Sequence, residues 1–358
     1  MIKMGLRWFG ESVDTVKLWQ IRQIPGVAGV FTTLYDTSPG EEWDLNAIRS
    51  MKRQVLDAGL EVLGIESVNV HDAIKAATPD RDRCIRNYIN TLRKLGSENI
   101  PMVCYNFMPV FDWTRSDLNK VRPDGSTVFA YDQSVIDKVD PQEMLEHLGK
   151  DSHGFVLPGW EPDRIAGVKE LFRLYQNVGE EDLFDNLVYF LKAIMPVCNE
   201  YDINMALHID DPCWSVFGLP RIAKSGENLL RIMDAVPDPY NGVALCTGSL
   251  SSNPANDIPG IIRSLKGRIN FAHIRNTKHW APGVFEEAAH YAADGSLDMY
   301  AIVKALVDIG YDGPVRPDHG RAIWGEKPMP GYGLYDRALG SQYILGLYDA
   351  IVRENCRN

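Results

Sequence analysis

Two patterns of apolar residues alternate along the chain. Short apolar runs bounded by Gly, Pro, Asn or Asp predict buried strands, and longer stretches with apolar positions three and four apart predict helices. KMGLRWFG and VDTVKLWQIRQI make the first pair, closed by Pro25-Gly26. GVAGVFTTL with DLNAIRSMKRQVLDAG and LEVLGIESVNV with RDRCIRNYINTLRKLG follow, and PMVCYNFMP is the fourth strand. The alternation resumes with EDLFDNLVYFLKAIMPVCNEY, a helix expected to break or kink near Pro196. INMALHIDDP, GVALCTG, INFAHIR and PVRPDHG are the remaining strands. NLLRIMDAV, IPGIIRSLKG, DMYAIVKALVDIG and the closing YDRALGSQYILGLYDAIVREN read as amphipathic helices after them. Eight strand-helix alternations predict an α/β fold, either a TIM (β/α)8 barrel or a doubly wound open sheet.

Between Val110 and about Gly167 the alternation lapses into aromatic, proline and charged residues. RPDGSTVFAYD within it reads as a hairpin turning at Asp124-Gly125. So long a stretch without a place in the alternation is expected to be functional, and it leaves the carboxyl end of strand four. In a barrel that end is the catalytic face, so the insertion is expected to cap the site. With no repeat, low-complexity tract or linker, one domain over residues 1–358 is expected, the 110–167 insertion lying within it.

Strand ends carry the candidate chemistry. His208, Cys246, His273 and Asp318 each fall at or just past the carboxyl end of one of the last four strands. Two imidazoles, a thiolate and a carboxylate on neighbouring parallel strands make a plausible divalent-metal site, with manganese(II), iron(II) or zinc open. Stepping back by twos from His208 gives Ala206 and Asn204, and from Cys246 gives Ala244 and Gly242, so small residues share the inward face. A single strand-end histidine is as often a satisfied core residue, and free cysteine is commonly a small buried hydrophobe. The set of four is what points to metal.

Around that set lie candidate acids, bases and cations. Asp210 keeps the inward parity of His208 and is expected to touch the site, while Asp211 is a candidate partner orienting His208 or a solvated turn residue. Arg316 has the parity of Asp318, which places it inward one layer below the metal and in need of a carboxylate. His319 beside Asp318 is placed for proton transfer, and Tyr332 in a glycine- and proline-rich loop can reach the site as a phenolic acid.

Charge and cysteine usage narrow the partners. The net charge of −11 argues against nucleic acid or anionic membrane, yet leaves room for a small anion that needs one or two local cations. Six cysteines without a CxxC, no signal-like N-terminus and no membrane-length apolar run fit a cytoplasmic protein.

HIDDP from His208, the Cys246 strand, FAHIRN around His273, RPDHGRAIWGE and PGYGLYDRALG together resemble mannonate dehydratase. ESVNVHDAIK and MGLRWFG extend the resemblance over essentially the whole chain, with Asn69 and Asp72 departing from the usual loop pattern. It implies a xylose-isomerase-like TIM barrel that dehydrates D-mannonate to 2-keto-3-deoxy-D-gluconate with Mn2+ or Fe2+, zinc being less expected. It also implies His208, Cys246, His273 and Asp318 as ligands, His319 and Tyr332 as the proton-transfer pair, and a homodimer or higher homo-oligomer. Arg7 and Arg316 are placed to neutralise the acid substrate. Competing readings are a metal-dependent sugar isomerase or epimerase on the same barrel, and a sugar-acid-binding protein without activity. The thiolate ligand and the RPDHG motif favour the lyase over the first, and the four ligands with His319 favour it over the second.

Overall fold

The structure is a computed structural model and describes residues 1–141, 152 and 167–356. Eight parallel strands close into a barrel: β1 (Lys3–Arg7), β2 (Val27–Thr32), β3 (Glu61–Glu66), β4 (Met102–Tyr105), β7 (Asn204–His208), β8 (Asn241–Cys246), β9 (Ile269–His273) and β12 (Pro314–Arg316). Neighbours around the barrel follow sequence order, and β12 returns to β1. Closure rules out the open sheet that the alternation alone allowed. Every barrel strand is followed by at least one helix, from Leu18–Arg22 after β1 to Leu334–Asn355 after β12. None of the described helices is long and apolar enough to cross a membrane.

The lumen is packed as a solid. Phe31, Leu63, Met102, Cys104, Ala206, Ala244 and Phe271, from six strands, form an apolar floor, with the rings of Phe31 and Phe271 4.2 Å apart. Ala206, Ala244 and Phe271 each stand two residues before a candidate ligand, as the period-2 rule requires. The candidates therefore sit one layer above this floor, at the carboxyl rim.

Two hairpins extend from the barrel. β5 (Asp117–Val121) and β6 (Thr127–Asp132) turn at Gly125, whose φ of +82° suits glycine. β10 (Thr277–Ala281) and β11 (Val284–Glu287) follow β9, and the two hairpins join through β6–β11 pairing into one four-stranded antiparallel sheet. The first hairpin was legible in RPDGSTVFAYD; the second was not expected. Of the 110–167 insertion, residues 142–151 and 153–166, LPGW among them, lie outside the described residues.

Three helix readings need correction. After β1 the helix is only Leu18–Arg22, because the buried Asp14 carboxylate accepts from the amides of Phe9 and Val16 and holds that stretch as a loop. Glu180–Tyr201 runs through Pro196 without a break, its buried neighbours Ile194, Met195, Val197 and Cys198 supplying the packing that offsets the missing donor. The last helix is not a plain amphipathic one. Its inward face buries Asp336, Arg337, Gly340 and Ser341 before Ile344, Tyr348 and Ile351, because its first turns support the rim.

Candidate metal centre and active site

His208, Cys246 and His273 are the last residues of β7, β8 and β9, and register pairs Cys246 with His273 and His273 with Arg316. Ligand atoms of these three lie within 4.8 Å of one another. Asp318 joins them, with Oδ2 3.3 Å from the Cys246 sulfur and Oδ1 3.9 Å from His273 Nδ1. Its φ of +61° is the left-handed conformation that Asp tolerates better than most residues. Breaking the strand alternation in this way lets Asp318 and His319, adjacent in sequence, line one cavity.

The His208 ring proton can be placed by its partner. Nδ1 of His208 lies 2.6 Å from the Ile209 carbonyl oxygen, which can only accept, so Nε2 carries the lone pair. Nδ1 of His273 lies between Nε2 of His208 at 3.2 Å and Nη2 of Arg316 at 3.4 Å. Burial holds both imidazoles below their ordinary range, His273 well below with Arg316 adding to the effect. Nε2 of His208 and Nδ1 of His273 face each other at 3.2 Å, a gap that one shared hydrogen fills in the metal-free protein and that a cation would fill in its place. A sulfur and a carboxylate stand beside it, so the residues fit a divalent metal. Burial pushes the Cys246 thiol up to about 12, so a cation bound there must displace a proton.

Around the four lies a buried lattice of charge. Arg316 stands in register with His273, in the ligand layer and not one layer below it, and it meets Asp318 at 2.7 Å and Glu66 at 2.6 Å, which supplies the carboxylate its inward position demands. Burial lowers its affinity for the proton, but Asp318 and Glu66 more than offset that. Arg275 joins Asp318, Asp211 and Glu287, and Arg115 grips Asp211 with two bonds of 2.8 and 2.9 Å. Burial raises Asp211, yet Arg115 and Arg275 hold it far below the usual carboxylate range. Arg115 precedes β5 and Glu287 ends β11, so each hairpin contributes one charge to the rim.

His319 and Tyr332 are brought together above this layer, Nε2 3.1 Å from the hydroxyl. Tyr332 is placed by its loop. Gly320 donates to the Gly331 carbonyl, and Arg337 donates to the carbonyls of Gly333, Tyr332 and Arg7. Burial pushes the Tyr332 phenol up to about 12. Phe129 and Trp113, stacked at 5.2 Å, present their rings to the His319 ring. A cavity of about 80 Å³ between these groups also reaches Arg7 and Asn106, and a second of about 760 Å³ shares Arg7 and Ser67 with it.

Asp210 is not brought to the cluster. Its carboxylate turns away and accepts from the amides of Ile222 and Ala223, both at 2.7 Å. β7 ends at His208, so the parity that pointed Asp210 inward stops applying two residues earlier. Asp211 lines the cavity instead, although the Ile209 carbonyl, not Asp211, orients His208. Glu66, Arg115, Arg275 and Glu287 were missed. The strand-end rule could have found Glu66, which closes β3, and parity with His273 could have found Arg275. Nothing local marks Arg115 or Glu287.

The fold alone sets the class. The barrel superposes on a xylose isomerase domain protein of Planctomyces limnophilus with a TM-score of 0.55 at 11% identity over 100% of this chain and 99% of the other. The crystal structure of mannonate dehydratase from Streptococcus suis serotype 2 is far nearer, at TM-score 0.89 and 44% identity over 99% of this chain and 96% of that one. Residues 2–358 match the family described as D-mannonate dehydratase (UxuA). Mannonate dehydratases of Brachyspira hyodysenteriae and Thermotoga neapolitana are 63% and 56% identical, over 97% and 98% of this chain and 98% of each relative. The chain belongs to the mannonate dehydratase family.

Proposed function

We infer that this protein dehydrates D-mannonate to 2-keto-3-deoxy-D-gluconate, acting as a hydro-lyase. The observation that carries the reading is 63% identity to a mannonate dehydratase over 97% of the chain. The cluster at the rim supports it. His208, Cys246, His273 and Asp318 would hold Mn2+ or Fe2+, which when bound supplies Lewis-acid polarisation of the substrate's oxygens and a template for its orientation.

The remaining work falls to the chain's own side chains. The reaction breaks the C2–H bond, forms a C2=C3 double bond, and releases hydroxide from C3, which a proton converts to water. The resulting enol tautomerises to the 2-keto acid. His319 and Tyr332 form the proton-transfer pair, within hydrogen-bond reach of each other and of the cavity. Arg7 is the candidate anchor for the acid end. Its Nη2 donates to Tyr35, and its Nη1 stands 3.7 Å from Glu66, a longer ion pair than either of those that hold Arg316. Arg316 is the weaker candidate, being spent on Glu66 and Asp318. The four-stranded sheet acts as the cap, with Trp113 and Phe129 keeping water from His319. Cytoplasmic location and a homo-oligomeric state belong to the same proposal.

The test is incubation of protein reconstituted with Mn2+ or Fe2+ with a panel of aldonic acids, reading 2-keto acid. Formation from D-mannonate in preference to its epimers is expected. An epimerised aldonate without keto acid would sink the reading.

A further inference from the structure

We infer that Arg275 is a positioning residue for the elimination: its guanidinium fixes which ring nitrogen of His319 carries the hydrogen, and so aims that hydrogen at the cavity. The inference rests on the reading of His319 as a proton-transfer group. Arg275 is completely buried and offers donors only. Its Nη1 lies 2.7 Å from Nδ1 of His319 and 2.8 Å from Oε1 of Glu287. Its Nη2 lies 3.0 Å from Oδ2 of Asp211, and its Nε 3.2 Å from Oδ2 of Asp318. A donor 2.7 Å away leaves no room for a hydrogen on Nδ1. With Nδ1 taken as the acceptor, the ring hydrogen falls to Nε2, the nitrogen that faces Tyr332. Glu287 is the one competing acceptor at Nδ1, but its Oε1 stands 3.5 Å away, farther than the guanidinium nitrogen, and is already engaged by Arg275 and Arg115.

The arginine is itself built into place. Thr247 Oγ1 accepts from the Arg275 amide at 2.8 Å and donates to its carbonyl at 2.7 Å. Gly248 lies against the guanidinium, where a Cβ would fall 1.9 Å from Nε and 2.6 Å from Cζ. Glycine is needed there for space alone. Asp211 and Glu287 share the guanidinium with His319, so its plane is set by three directions at once and one acceptor can be lost without freeing it.

Gly248→Ala displaces the guanidinium while removing no ionisable group, and Arg275→Lys keeps the charge but loses the fork of donors. The protein is labelled with nitrogen-15 at both histidine ring positions and loaded with diamagnetic zinc. Signals of His319 are assigned by their loss in His319→Asn, and nitrogen-proton correlations across the ring report the tautomer. In the unmodified protein the hydrogen is expected on Nε2. In Gly248→Ala, and likewise in Arg275→Lys, an Nδ1-protonated form appears. With Mn2+ and D-mannonate, kcat then falls about 10- to 100-fold, with KM and metal content little changed. The hydrogen found on Nδ1 in the unmodified protein overturns the inference, and does so without any activity being measured. Unaltered tautomer and kcat in whichever of the two variants folds also overturns it. Failure to turn over D-mannonate would sink the proposed function instead and leave the tautomer to be decided by the spectrum.

Discussion

Two residues of strand separate the floor of the barrel from its rim, yet the two layers are different materials. Ala206, Ala244 and Phe271 belong to an apolar ring that gains from leaving water. His208, Cys246 and His273, each one step higher, share a layer with Arg275, Arg316, Asp211, Glu287 and Asp318, all nearly or wholly buried except the half-buried His208. Burying ions in this way is costly unless each has partners, and here arginines and carboxylates alternate so that each charge meets at least one of opposite sign. The floor makes the fold, and the rim is what the fold supports. Stability and chemistry should therefore separate when the two layers are attacked one at a time.

The largest effect is expected at the rim. His208→Ala with His273→Ala removes both facing nitrogens, so stoichiometric metal uptake and activity should both vanish, a loss on the order of 10³-fold or more. Metal analysis of the purified double variant checks this, and full occupancy would refute the site. At the floor, Phe31→Ala should destabilise by about 3–5 kcal/mol through the cavity it leaves, while metal content and turnover per folded molecule stay near normal. Denaturant unfolding beside an activity assay reads both. Next come His319→Asn and Tyr332→Phe, each expected to keep metal and lose about 10²-fold or more in kcat. A raised KM with kcat intact would mean uniform binding instead of proton transfer.

Acid should erode the two layers differently. His208 and His273 are held below their ordinary value near 6.5 in the fold, so unfolding takes up protons as pH drops beneath that value. Their contribution is whole above about pH 6.5 and is lost below it. Asp211, Glu287 and Asp318 are held low as well, from ordinary values of 3.8 to 4.5, so theirs is lost only below about pH 4. Melting curves of metal-free protein should show both steps, and much of the upper one should go when the two histidines are replaced. The smallest effect is expected for Asp210→Asn. Burial raises this carboxyl and its work is to accept two amides, so kcat should remain within a few-fold of normal. A loss of about 10² would instead make Asp210 a proton-transfer group.

The layers also differ in how much of them the sequence discloses. Ala206, Ala244 and the grouping of His208 and Cys246 above them are legible because strand parity is a local rule, and it holds from Ala206 to His208 and from Ala244 to Cys246. It fails at Asp210, where the strand has ended and two amides at Ile222 and Ala223 hold the carboxylate, while Asp318 reaches the cluster past the end of its strand through its own left-handed conformation. Arg115 and Glu287 were beyond reach for another reason. They meet across 172 positions of sequence, and only the closed barrel brings them together. The β10–β11 hairpin has the same explanation, since its pairing partner β6 lies far upstream.

That distant pairing has a consequence for synthesis. Val284 pairs with Asp132, so β6 leaves the ribosome 284 − 132 = 152 residues before its neighbour. At roughly 5–20 residues per second, the far edge of Thr127–Asp132, away from β5, waits about eight to thirty seconds for β11. Its residues TVFAYD are strand-forming, and an unpaired edge of that kind invites pairing with another nascent chain. Asp117, Lys120, Asp124 and Asp132, set along and around the waiting hairpin, put charge on it through that interval. Charges so placed are of the kind that disfavour pairing between exposed edges of two chains.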